Sequence, residues 1–152
     1  MNRKAFIQAA ILAFSATFAM GAAAQTAAPA KAKVVNQGIV IQVSDDNPRT
    51  WNVALNTAEQ MTIELAKENI KAEVAIGAFG PGINMLKFDS VVGNRMTKAA
   101  QNGVALIACG NSMLNFKLPE KELYPDASIK VVLAGAVDIM KKQQAGWFHL
   151  RP

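Results

Sequence analysis

Cysteine is nearly absent from this 152-residue chain: Cys109 is the only one, so no disulfide can form within it. Histidine is as scarce. With His149 alone, neither a histidine metal cluster nor a Ser-His-Asp set can be assembled from one chain. Charge is sparse too, at 18% of residues, and the lysines and arginines lie scattered (Lys31, Lys33, Arg49, Lys87, Arg95, Lys98, Lys117, Lys141, Lys142) with no aromatic ladder or basic helix beside them. That pattern is a solvated surface, and nucleic acid is not an expected partner. Beyond the first two dozen residues no apolar run is long enough to cross a membrane.

Hydrophobic residues are abundant, at 51%, enough for one globular domain with a sizeable core. Some of them belong to an export signal. Asn2, Arg3 and Lys4 form a positive start, Ala5 to Met20 an apolar centre, and Ala22, Ala23 and Ala24 a small-residue cleavage site. Residues 1–24 are therefore expected to be a cleaved signal peptide, and the mature protein to be periplasmic, with no membrane contact after cleavage. Loss of Arg3 and Lys4 lowers the formal charge from +5 to +3, which is only mildly basic. Residues 25–37, rich in alanine with Pro29, read as a disordered lead-in.

The stretch Val104 to Met113 organises the rest. A short apolar run between Gly103 and the polar cluster Gly110, Asn111 and Ser112 reads as a strand buried on both faces, with Cys109 at its carboxyl end. Ligands of open α/β sheets bind at that edge, where the next helix presents its free N–H groups. Cys109 is either a candidate thiolate there or a small buried hydrophobe.

Gly38 to Val43 alternates as a first strand, and Asn47 and Pro48 open an amphipathic helix reaching about Asn69. Lys71 to Phe79 reads as the second strand, ending in the turn Gly80, Pro81, Gly82. This turn could cradle an anion or serve simply as a turn. Val91 to Gln101 is a second helix. Ile129 to Val137 reads as a fourth strand, Asp138 to Gln144 as a helix, and Trp147 to Leu150 as the last strand. Alternating strands and helices predict a mainly parallel five-stranded sheet in a three-layer α/β/α sandwich. Its carboxyl edge would gather Ser44–Asn47, Gly80–Gly82, Cys109–Ser112 and Ala134–Val137. Met61, Met85, Met96, Met113 and Met140 have no repeated spacing and are read as core rather than as soft-metal ligands. Trp51 and Trp147 read as core or interface anchors, Asp45 and Asp46 as helix-start residues, and His149 as structural or at a subunit contact.

The segment ACGNSM, the ending LAGAVDIMKKQQAGWFHLRP (Leu133 to Pro152) and the Gly80-Pro81-Gly82 turn together resemble the DsrE/DsrF-like family, in particular its single-domain members related to YchN. The resemblance covers the chain from about Gly38 onward. It implies a homo-oligomer, a trimer or hexamer. It also implies that Cys109 accepts sulfur as a persulfide from a sulfur donor, a protein or a small sulfur compound, and yields it to an outside acceptor. Gly110, Asn111 and Ser112 would hold the sulfur, with no cofactor and no metal. A non-catalytic homo-oligomeric module binding a small ligand or a partner is the alternative.

Overall fold

The computed structural model describes residues 37–152. The expected signal peptide (1–24) and nearly all of the lead-in lie outside the described residues, while Gln37 already belongs to the first strand.

Alternation of β-branched residues makes Gln37–Val43 a strand, β1. Ile39, Ile41 and Val43 enter one apolar cluster and Val40 the other. Asn47 then caps α1, Pro48–Lys67: its side chain accepts the Arg49 N–H at 2.9 Å, and Pro48 supplies the fixed φ of a first turn. The apolar stripe Trp51, Ala54, Leu55 and Ala58 faces the sheet. The Trp51 indole N–H donates to the Asp45 carbonyl at 2.8 Å, so the ring is both buried and satisfied.

β2, Ala72–Ala78, runs straight into a 3₁₀ helix, Gly80–Leu86. The Gly80-Pro81-Gly82 turn expected here is the first turn of this helix, which buries Ile83, Met85 and Leu86 completely. α2 spans Gly93–Gln101 and is tied to α1 by the Lys98–Glu59 pair at 2.6 Å and by Arg95, whose guanidinium donates to Asn52 and Asn56. β3, Ala105–Cys109, passes without a gap into α3, Gly110–Asn115.

The fourth strand is shorter than its composition predicts. β4 is only Lys130–Val132, and α4 occupies Gly135–Gln144. In the run IKVVLAGAV the apolar residues serve two elements, and nine residues are too few to show a change of period. β5, Phe148–Leu150, closes the chain.

All pairings are parallel, in the order β4-β3-β2-β1-β5. α1 and α2 cover one face of the sheet around Ile41, Ile76 and Leu106. α4 covers the other through Ile139, packed with Val40, Ala75 and Ile107. This is the expected three-layer α/β/α arrangement, with a parallel sheet throughout. Parallel order puts every strand's carboxyl end on one edge, and the ends of β2 and β3 and the start of α4 meet there. Among the described residues, no helix is long and apolar enough to cross a membrane.

Candidate functional site

Cys109 is the last residue of β3 and the cap of α3, on the face of the sheet that α4 covers. Its side chain is 5% exposed. Its sulfur accepts the Gly135 N–H, the first of α4, at 3.2 Å. Glycine suits this close approach of α4: a Cβ on Gly135 would stand 3.1 Å from Cys109 Cβ and 3.2 Å from Phe79 Cβ, so the neighbours would have to give by a few tenths of an ångström. On the other side, a Cβ on Gly110 would meet the Val132 carbonyl at 3.2 Å. Asn111 donates its N–H to the Leu133 carbonyl at 3.1 Å, which clasps the segment leading into α4 against α3, and its side chain is exposed.

The electrostatics follow from this packing. Burial pushes the Cys109 thiol up, but the Ser112 hydroxyl and the backbone N–H groups of Gly135, Ser112 and Asn111 outweigh it and hold the thiol below its ordinary value. Among the described residues no lysine or arginine contributes; the thiolate is favoured by dipoles at the starts of two helices. Stability should carry that signature. A group whose pKa is depressed by folding stabilises fully above its unfolded pKa, and the contribution fades as pH falls through the folded pKa. Denaturant unfolding across a pH series should show the wild type gaining on Cys109→Ser as pH rises from neutral into the alkaline range. A pH-independent difference would contradict a depressed thiol.

Ser112 lies three residues beyond Cys109. It is the one polar side chain that is buried among the described residues, at 7% exposure, and its oxygen accepts the Gly80 N–H at 2.7 Å. The Gly80-Pro81-Gly82 turn therefore reaches the site through Ser112. Gly82 N–H is used by the Phe79 carbonyl at 3.2 Å, and Pro81 has no N–H to offer. Of the residues singled out in the sequence, the structure brings together Cys109, Gly110, Ser112 and Gly80. Gly135 belongs to the Ala134–Val137 stretch expected at this edge, but as the first residue of α4 rather than the end of a strand, and its contact with the sulfur comes from the close approach of α4, which no local pattern encodes.

The model of the DsrE/DsrF-like family matches residues 53–152. The chain belongs to the DsrE/DsrF-like family. Two solved structures share the fold of this DsrE-like chain. One is the protein of unknown function MTH1491 from Methanobacterium thermoautotrophicum, at 21% identity and TM-score 0.70 over 76% of this chain and 99% of that one. The other is the conserved protein of unknown function BT1422 from Bacteroides thetaiotaomicron, at 17% identity and TM-score 0.56 over 80% of this chain and 99% of that one. No curated protein matches it.

Among the described residues no group of three or more histidine, cysteine, aspartate or glutamate side chains is placed to hold a metal. His149 Nε2 lies 2.9 Å from Gln42 Oε1, a contact between neighbouring strands. Asp46 accepts from Asn84 Nδ2 at 2.8 Å.

Proposed function

We propose that this DsrE-like protein is a periplasmic sulfur carrier in which Cys109 is the persulfide acceptor. The observation that carries the reading is the Gly135 N–H aimed at Cys109 Sγ where α3 and α4 both begin. Such a site favours the thiolate, the nucleophilic form of cysteine, and favours equally the anion of a persulfide. The thiolate attacks the outer sulfur of a donor R–S–SH. The Sγ–S bond forms, the donor's S–S bond breaks, and its electron pair leaves with R–S⁻. Cys109 is left as Cys–S–SH, which loses its proton to the surroundings. Because the chain has no second cysteine, discharge requires the thiolate of an outside acceptor to attack the outer sulfur and return Cys109 to a thiolate.

Residues 1–24 would direct export and be removed, and the mature chain would assemble as a trimer or hexamer. Intact mass of the exported, unreduced protein tests both the start of the chain and the chemistry. The expected result is a chain beginning at Gln25 that gains the mass of one sulfur atom on exposure to polysulfide, with no gain in Cys109→Ser. No gain in the wild type removes the carrier reading, and a mass that retains the leader removes the periplasmic one.

One observation favours a binding module instead. A cavity of about 330 Å³ lies between the second half of α1 and β5, lined by Ile39, Met61, Leu65, Ala72, Phe148 and Leu150. In that reading Cys109→Ser leaves function unchanged.

A further inference from the structure

The apolar stripe of α1 continues past the point where its packing ends. Trp51, Ala54, Leu55 and Ala58 are buried, and the spacing of three and four carries on through Met61 and Leu65, which are only half-buried. The cause is β5. It joins the sheet beside β1, with Phe148 opposite Ile39 and Leu150 opposite Ile41, while α1 packs on β1 and β2 and leaves that margin beyond its flank. The result is the cavity of about 330 Å³ walled by Ile39, Met61, Leu65, Ala72, Phe148 and Leu150. None of these six side chains carries an oxygen or a nitrogen. Ala72 is level with Gln37 and Leu150 with Ile41, so the hollow extends over four residues of β1, about 13 Å at the rise of a strand. Its volume is roughly twice the ~150 Å³ of an apolar cavity that admits benzene. A long, narrow, wholly apolar hollow fits a straight chain better than a ring. A second copy of the protein is a poorer occupant, because a stable interface engages about 20 residues a side and only Phe148 of the six is exposed. Residues 25–36 are poorer too: their larger apolar side chains are Val34 and Val35, which stand too close to Gln37 for the chain to turn back along β1.

We propose that this hollow binds one straight hydrocarbon chain, the tail of a free fatty acid, with the carboxylate left in water at the rim. Carbon-carbon bonds of about 1.5 Å in an extended zigzag advance about 1.25 Å per atom, so a tail of about ten carbons spans the hollow. The site is separate from Cys109, and the inference gives the binding-module reading its ligand class without depending on the carrier reading. Affinity comes from apolar area alone, and Met61, unbranched and polarizable, adjusts its side chain to the tail. The head group is not recognised, because no side chain of the lining can hydrogen-bond to it.

The test follows the methionine methyl groups of the full mature chain by carbon-13 nuclear magnetic resonance. Met61 lines the hollow, whereas Met85 and Met96 are fully buried elsewhere, Met113 lies in α3 and Met140 in α4. Sodium decanoate, kept below the concentration at which it forms micelles, should shift the Met61 signal saturably and leave Met140 in place. From hexanoate to decanoate the affinity should rise about fourfold per added carbon. Beyond about ten carbons it should level off, since the extra length projects into water. Ala72→Leu fills the hollow and should abolish the shift; Phe148→Ala, at an exposed position that folding tolerates, should weaken binding about tenfold. Cys109→Ser should bind decanoate as the wild type does. A silent Met61, an equal shift of Met140, affinity that climbs without levelling, or undiminished binding in Phe148→Ala overturns the proposal. So does a Met61 signal that moves on dilution alone, which marks a second copy as the occupant, or decanoate binding that appears only when Val34→Ser and Val35→Ser are combined, which marks the lead-in. Polysulfide loading of Cys109, read by mass, decides the carrier reading separately from all of these outcomes.

Discussion

Gly82→Ala should lower stability by about 3 kcal/mol, the upper end of the range for forcing an extra methyl group into a packed interior. A Cβ at this position would overlap the Val43 carbonyl group and stand 2.9 Å from the Ser44 nitrogen. These are backbone atoms at the end of β1 and cannot rotate aside. The 3₁₀ helix Gly80–Leu86 must therefore lift off the sheet, and Ile83, Met85 and Leu86, all fully buried, must move with it. Thermal unfolding should shift down by about 10 °C for a domain of this size. Gly103→Ala is the control. Gly103 has φ +85 and open space around its Cβ position, so the alanine there meets only conformational strain, about 1 kcal/mol. If the two variants unfold alike, close approach is not what requires glycine at position 82.

Ile76→Ala should cost about 4 kcal/mol, within the range for truncating a fully buried aliphatic side chain. Ile76 sits on β2 opposite Ile41 of β1 and Leu106 of β3, and all three are essentially inaccessible. The cavity left by alanine is walled by strands on both sides, which cannot close over it without giving up the ladder. Ile76→Val removes one methylene and should cost about 1 kcal/mol. Denaturant titration measures both. A loss below about 2 kcal/mol for alanine, the floor of that range, would mean that the centre of the sheet collapses more readily than its close packing implies.

The central strands were readable from the sequence because each carries its own signal. GIVIQV alternates, Asn47 and Pro48 mark a helix start, and Gly103 and Gly110 bracket the run that ends on Cys109. The position of Cys109 at the carboxyl edge followed from those local cues. The stretch Ile129–Val137 misled, since an unbroken apolar run is compatible with a strand or with the first turn of a helix. Ala134–Val137 does reach the expected edge, but as the beginning of α4. That difference matters chemically, because a helix start brings a free N–H to the sulfur and a strand end would not. The hydrogen bond from Gly80 to Ser112 joins residues 32 positions apart, and nothing in either neighbourhood announces it.

Both margins of the sheet are three-residue strands, Lys130–Val132 and Phe148–Leu150, while β1 and β2 run for seven. Amide hydrogens of β1 and β2 should exchange with solvent only when the whole domain opens, whereas those at the margins escape through local fraying. Brevity also guards the free backbone edges, which could otherwise template the addition of a foreign strand. The two margins differ in this respect. Lys130 places a charge on one, but Phe148 leaves an exposed aromatic ring on the other, so association of partly opened molecules should begin at β5.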